Sequence, residues 1–270
     1  MPTVLITGCS SGIGRATAKR FQSAGWNVAA TMRDPGAETE LTQLDDVLVT
    51  ALDVTDADSI DAAVAASTAR FGAIDVLVNN AGYGAYGPVE SVSRGSVVRQ
   101  YDTNVIGVID TMRAVLGQFR ERGSGVIVNV SSMGGRITLP LGALYHGTKF
   151  AIEGISEAMT YELRAIGTRM KLVEPGIVAT DFSGRSMDLT IDPEHTQYQP
   201  VIEALVAARE AGGRVSSSAE DVAEVIFAAA TDGTDQLRYV VGADAEALIA
   251  LRAEHDDETY LAGIRANFGL

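Results

Sequence analysis

Cysteine and lysine are scarce in this chain, and the scarcity of cysteine removes whole classes of protein from consideration. The one cysteine, Cys9, has no second thiol to pair with, so an intramolecular disulfide is excluded, and no Cys/His cluster stands at metal-ligand spacing. No metal is therefore expected, and a reducing, cytoplasmic setting fits. Lysine occurs only at Lys19, Lys149 and Lys171, so arginine carries most of the positive charge. Twenty-one basic residues face 35 acidic ones, giving a net charge of -14 and a pI near 4.6. A surface field of that sign repels nucleic acid and anionic membranes, and neither is expected as a partner. No run approaches the roughly 18 unbroken apolar residues of a membrane span. The opening MPTVLITGCSSG lacks the basic stretch and long apolar run of a signal peptide, so an unprocessed soluble protein is expected.

What is present is a hydrophobic content of 46% in 270 residues, enough for one large core, and one domain over residues 1–270 is expected. TVLITG reads as a short buried strand, and IGRATAKRFQSAG after it has helical apolar spacing and a glycine stop. The pattern recurs: strand NVAATM, a helix near Ala37 to Leu44, strand VLVTALD, helix DADSIDAAVAASTARFG and strand IDVLVNN. A helical segment from Val97 to Arg120, strand GVIVNVSS, a helix holding Tyr145 and Lys149, and strand RMKLVEPG follow, with LRYVVG as a last strand and a helical tail. Strands apolar on both faces and alternating with helices predict an α/β fold, a doubly wound, mostly parallel sheet covered on both sides. Ligands of such sheets bind outside the carboxyl ends of the strands. The residues there, TGCSSGIG, MRD, DV, NNAG, SS and PGIVAT, are small, polar or glycine-rich, as a bound polar ligand requires. The irregular stretch 181–215 reads as a substrate lid.

In TGCSSGIG, Gly8, Gly12 and Gly14 lie between first strand and first helix. Missing side chains let the backbone approach a pyrophosphate, and the helix N-terminus offers free N–H groups and partial positive charge. Tyr145 and Lys149 lie four residues apart, so on a helix they present a phenol and an ammonium on one face. An ammonium one turn away favours phenolate, and a tyrosine so placed can donate a proton to an alkoxide or take one from a carbinol.

The motifs TGCSSGIG at 7–14, NNAG at 79–82, Asn104, NVSS at 129–132, YHGTK at 145–149 and PGIVAT at 175–180 run in one order, and with them the chain resembles the short-chain dehydrogenase/reductase family, compact single-domain branch. The resemblance covers most of the chain from Thr3 to Asp181 and implies a Rossmann-like fold. It implies an NAD(P)(H)-dependent oxidoreductase acting on a ketone or secondary alcohol, with Asn104, Ser132, Tyr145 and Lys149 as catalytic set. Ser131 and Ser132 precede Tyr145 by fourteen and thirteen residues, and the family's spacing of thirteen selects Ser132. By the same resemblance Ser132 stabilises charge on the substrate oxygen, Lys149 holds the nicotinamide ribose, and Asn104 breaks its helix and anchors a water linked to the lysine. The dinucleotide is expected against Gly8, Ser10, Ser11, Gly12, Ile13, Gly14, Arg33, Asp53, Val54, Asn80, Ala81, Gly82, Pro175, Gly176, Ile177, Val178 and Thr180, besides Tyr145 and Lys149.

Met32 falls where an NAD-preferring member would carry its carboxylate, with Arg33 next to it, so NADP(H) is favoured and NAD(H) kept open by Asp34. Tyr83, Tyr86, Leu139, Leu141, Phe182 and Met187 are expected to wall an apolar pocket, and the look is closest to the hydroxysteroid- and retinol-acting members. His146 is expected to point elsewhere on its helix and to take no part in catalysis, and His195 and His255 are read as surface residues. Apolar helix faces around Val105–Phe119 and Lys149–Leu163 point to a homodimer or homotetramer. A catalytically silent dinucleotide sensor or scaffold of the same fold is the alternative, but such a protein tends to lose the tyrosine or lysine, and both are here. An isomerase or dehydratase would tend to carry a longer segment after Pro175.

Overall fold

Each apolar run expected to extend forms a strand, and the runs TVLITG, IDVLVNN and GVIVNVSS end in glycine, asparagine or serine. The computed structural model describes residues 1–180, 186–210 and 217–270. Its first half runs β1 (Thr3–Ile6), α1 (Gly12–Ser23), β2 (Asn27–Met32), β3 (Val47–Ala51), α2 (Ala57–Phe71), β4 (Val76–Asn79), β5 (Gly84–Tyr86), α3 (Arg94–Tyr101) and α4 (Gly107–Arg122). There follow β6 (Gly125–Val130), α5 (Ala143–Arg164), β7 (Thr168–Pro175), β8 (Val178–Ala179), β9 (Met187–Leu189), β10 (Ser217–Ser218) and β11 (Arg238–Val241). Further helices span Gln199–Glu210, Ala219–Thr231, Ala243–Glu254 and Asp257–Phe268. Seven strands make one sheet in the order β11-β7-β6-β4-β1-β2-β3, and every neighbouring pair is parallel. This is the doubly wound α/β architecture expected from the sequence. Its strand order reverses beside β1, which opens a crevice at the carboxyl ends of β1 and β4.

Alternation along the strands sends residues to two cores. Val4, Ile6, Val28, Ala30, Val76, Val78 and Val128 face α1 and the helix Ala219–Thr231, while Leu5, Ala29, Leu77 and Ile127 face α2, α4 and α5. A polar thread runs through the second layer. Asn79 Nδ2 donates to Asn129 Oδ1 at 2.9 Å, Asn129 Nδ2 donates to Ser156 Oγ at 2.9 Å, and Thr111 Oγ1 donates to Asn79 Oδ1 at 2.7 Å. All four side chains are buried, so the thread fixes β4, β6, α4 and α5 against one another.

Three local readings change. The helix expected near Ala37 to Leu44 is replaced by two single 3-10 turns, Pro35–Ala37 and Leu41–Gln43. The Asp34 carboxylate accepts from Gly36 N–H, and Glu38 accepts from the N–H groups of Glu40 and Leu41, so side chains take backbone donors a helix would need. The segment Val97–Arg120 is two helices joined by a π turn over Asp102–Ile106, centred on Asn104. Small strand pairs, β5 with β9 and β8 with β10, tie down the excursion after β7. Of the expected lid, residues 186–210 are seen; 181–185, with Phe182, and 211–216 lie outside the described residues. Among the described residues no helix is long and apolar enough to cross a membrane.

Asn129→Ala removes partners from both Asn79 and Ser156 inside the core. It is expected to lower stability by about 2 kcal/mol or more, read from urea unfolding, since each stranded buried polar group costs about 1–3 kcal/mol. An unchanged midpoint would show that the thread carries no stability.

Candidate active site

The loop between β1 and α1 is built for close approach. Gly8 (φ 76°) and Gly12 (φ 53°) lie in the left-handed region, and a Cβ on Gly14 would stand 2.2 Å from the Gly8 carbonyl oxygen. Asn80 Nδ2 donates to the carbonyls of Thr7 (2.9 Å) and Gly8 (3.1 Å), while the N–H groups of Asn80 and Ala81 both donate to Thr7 Oγ1 at 3.0 Å. NNAG and the glycine loop are thus one bonded unit. Ser11 stands at the N-cap of α1 without a side-chain cap bond, and the first turn carries no acidic residue. Its N–H groups and partial positive charge suit an anion. Ser10 is exposed and Ile13 half-buried beside it, and Thr180 lies opposite, its Cγ2 3.4 Å from where a Gly12 Cβ would be.

Past β2, Met32 is buried and Arg33 exposed, while Asp34 is drawn into its own turn through Gly36. Past β3, Asp53 Oδ1 accepts from Thr55 N–H (2.9 Å) and Thr55 Oγ1 (2.8 Å), and Val54 is buried with its carbonyl against Gly107. Past β7, Gly176 N–H donates to Val241 O and Ile177 N–H to Asp244 Oδ2 at 2.7 Å. A side chain on Gly176 would collide with that carboxylate, a Cβ lying 2.2 Å from Oδ1. Pro175 ends β7, and Val178 opens β8.

Asn104, Ser132, Tyr145 and Lys149 come together at the start of α5. Ser132, just past β6, accepts from Gly134 N–H at 3.0 Å and hydrogen-bonds Tyr145. Tyr145 stacks on Tyr86 with ring centroids 5.5 Å apart. Burial pushes its phenol above the ordinary value, and the bond with Ser132 works against that. Lys149 Nζ lies 5.8 Å from the Tyr145 ring centroid and donates to Val130 O at 3.0 Å. Burial pulls this ammonium down to about 8, opposed by the charge of Glu153 one turn on. Asn104 is buried in the π turn; its amide donates to Tyr83 O (2.8 Å) and Thr148 Oγ1 (3.1 Å) and accepts from Tyr83 N–H (3.1 Å). Thr148 Oγ1 in turn donates to Tyr145 O.

The expected wall is half-buried at Tyr83, Tyr86, Leu139, Leu141 and Met187, but the Tyr83 hydroxyl is taken by Arg99 (3.1 Å), which also pairs with Asp188 (2.9 Å). His195 is half-buried, bonded to Ser91 Oγ at 2.8 Å, and His255 is half-buried with Nδ1 on Leu251 O. His146 turns to the loop after β6, where it is buried at 4% exposure with both ring nitrogens bonded. Sequence reasoning also missed Thr7 and Asp244, whose partners lie 73 and 67 residues away along the chain. The glycines that leave room for the Asn80 amide and for Asp244, Gly14 and Gly176, were visible beforehand.

The family described as short chain dehydrogenase matches residues 2–188. An uncharacterized oxidoreductase of Schizosaccharomyces pombe is 41% identical over 88% of this chain and 100% of its own length. Retinol dehydrogenase 8 of Bos taurus is 36% identical, covering 93% and 85%, and 17-beta-hydroxysteroid dehydrogenase type 1 of Homo sapiens 35%, covering 87% and 76%. A short-chain dehydrogenase from Streptomyces avermitilis superposes with a TM-score of 0.82 at 32% identity, over 100% of this chain and 96% of that one. ElxO with NADP bound has a TM-score of 0.72 at 25% identity, covering 88% and 97%. The 3-ketoacyl-(acyl-carrier-protein) reductase of Brucella melitensis, complexed with NADH, has 0.74 at 27%, covering 89% and 96%. This chain belongs to the short-chain dehydrogenase family and is an oxidoreductase of that family.

The Lys149 ammonium has a testable energetic signature. Its folded value near 8 lies below the ordinary 10.5, so the buried charge costs stability below pH 8, and the cost fades as pH rises toward 10.5. That shift corresponds to roughly 3 kcal/mol, less about 1 kcal/mol for the bond to Val130 that Lys149→Met would lose. The variant is expected to be the more stable protein at pH 7 in urea unfolding, with the gap closing toward pH 10. A pH-independent difference would contradict the burial account.

Proposed function

We propose that the chain is a nicotinamide-dependent carbonyl reductase or secondary-alcohol dehydrogenase, favouring NADP(H), for an apolar substrate of medium to large size. The observation that carries this reading is the meeting of the Tyr145 phenol, the Ser132 hydroxyl and the Lys149 ammonium at the crevice that the glycine loop also lines. That loop fits a dinucleotide: Gly8 and Gly12 leave its backbone bare, and the uncapped start of α1 faces the place of a pyrophosphate. When bound, the nicotinamide supplies or accepts a hydride.

The chain's residues do the rest. The phenol gives its proton to a carbonyl oxygen or, run the other way, takes one from a carbinol as phenolate. Ser132 holds that oxygen and stabilises its developing charge. Lys149 makes phenolate less costly and holds the ribose hydroxyls, and Asn104 locks Thr148 and so the first turn of α5. Asp53 would hold the adenine amine with Val54 beside it, Asn80, Ala81 and Gly82 would pass alongside the cofactor, and the backbone after Pro175 and Gly176, at Ile177 and Val178, with Thr180 would hold the carboxamide and phosphates.

Exposed Arg33 beside buried Met32, with Asp34 occupied by Gly36, supports a 2′-phosphate over a bare ribose. The names of the retinol and hydroxysteroid relatives support an apolar alcohol or ketone, as do Tyr86, Leu139, Leu141 and Met187. Exposed Val98, Tyr101, Ile106, Phe150 and Tyr161 on or beside α3 to α5 support a homodimer or homotetramer. A cytoplasmic location completes the reading.

Oxidation of NADPH and NADH over a panel of apolar ketones tests it. Tyr145→Phe is expected to lose turnover by about a hundredfold or more while NADPH still raises its melting temperature; unimpaired turnover would refute the assignment. Arg33→Ala is expected to raise the KM for NADPH far more than that for NADH, and equal effects would sink the cofactor preference.

A further inference from the structure

His146 stands between Tyr145 and the loop that carries Ser132, and its ring is the link between them. Leu139 N–H donates to Nε2 at 3.0 Å, so that nitrogen must be bare, and the proton therefore sits on Nδ1 and is donated to Gly134 O at 2.8 Å. The ring reaches these partners because two neighbours lack side chains. A Cβ on Gly134 would lie 2.8 Å from Nδ1, and one on Gly142 would lie 2.5 Å from Cδ2. The braced segment needs fixing. It contains Leu141, a non-glycine residue at φ 61°, a conformation that costs energy unless its surroundings impose it. It also contains Gly134, whose N–H donates to Ser132 Oγ.

We propose that His146 is a positioning residue: its neutral, Nδ1-protonated imidazole clasps Gly134 and Leu139 to α5 and thereby sets Ser132 and the Leu139–Leu141 wall against Tyr145. This rests on the site reading given under the proposed function. A second proton on the ring would set two donors, Nε2–H and Leu139 N–H, against each other. The groups around the ring do nothing to hold an imidazolium. Tyr145 on its own helix and Tyr86 from β5, which lies with the ring beside Gly142, carry no negative charge at neutral pH, and the charged residue of the clasped loop, Arg136, is itself a cation and pairs with Glu174. Burial lowers the imidazole from its ordinary 6.5, with the Gly134 carbonyl opposing. A group so shifted stabilises the fold above its unfolded value, and that stability is lost as pH falls through the folded one. The clasp therefore holds at neutral pH and opens only below 6.5.

Three proteins test this: the parent, His146→Phe, which keeps a ring and loses both bonds, and His146→Gln, which keeps one donor and one acceptor but has no proton to gain. In the parent, nitrogen NMR should show the Nδ1–H tautomer. Amide exchange at Leu139, corrected for intrinsic pH dependence, should quicken about tenfold below the histidine's titration. His146→Phe should exchange fast at every pH, and His146→Gln should stay protected with the acid step gone. In the ketone assay, KM should rise roughly tenfold in His146→Phe with a smaller change in kcat, and His146→Gln should restore it. The Nε2–H tautomer, or Leu139 exchange indifferent to pH and to both substitutions, would overturn the clasp. Parental KM in His146→Phe while Tyr145→Phe is inactive would overturn its role in the reaction. Full turnover in Tyr145→Phe would overturn the site reading and leave the NMR and exchange results to judge the clasp.

Discussion

The amide of Asn80 reaches across the place where the sheet reverses direction and bonds the Thr7 and Gly8 carbonyls, and the shape of the crevice depends on that bridge. Parallel strands leave their carboxyl ends without a hairpin to join them, so the loops there must be tied by side chains. From this tie a continuous series of bonds leads to α5. Thr7 Oγ1 receives Ala81 N–H, Gly82 passes close beside Asn104, Asn104 takes both backbone groups of Tyr83, and its amide reaches Thr148 under Tyr145. The loop suited to phosphate and the phenol suited to proton transfer are thus held in one frame, although 131 positions separate Tyr145 from Gly14. Rigid placement of this kind is what allows a proton donor and a bound substrate to meet without reorganisation.

The chain places two of its three ammonium groups inside, and does so in two different ways. Lys171 is 1% exposed and donates to Asp232, to the Thr234 and Gln236 carbonyls and to Tyr239, so its charge is fully answered. Burial works against the Asp232 carboxylate, yet its bonds to Tyr239, Thr234 and Lys171 bring it down to about 2. Lys149 has a carbonyl instead of a carboxylate within bonding distance, and its ammonium is correspondingly easier to discharge. The first arrangement ties β7 to β11; the second leaves a charge whose field is available to a neighbouring phenol.

Strands, their order of appearance and the motif positions could be read from the chain because apolar periodicity and glycine placement act locally. Asn104 was legible as a helix breaker and occupies a π turn. The stretch after β2 was not, because whether Pro35 to Gln43 coils depends on carboxylates choosing backbone donors. What His146 touches was not legible for a similar reason. Its helical position said nothing of the loop folding over it, and only the spacing of Gly134 and Gly142 hinted at a large ring between them. The β5–β9 and β8–β10 pairs are too short to leave a pattern of their own.

The turn after β7 owes its form to a residue that comes much later. Asp244 fills the space a side chain on Gly176 would need and takes the N–H of Ile177, while Gly176 itself hangs on Val241. Seen from the ribosome, the glycine loop and its Asn80 brace can close as soon as β4 has emerged, but β8 has no strand partner until β10 is made, and Gly176 and Ile177 lack their two bonds until β11 and the helix behind it follow. One rim of the crevice belongs to the early chain and the other to the late chain, so a nascent protein acquires its phosphate cradle well before the site has a second wall.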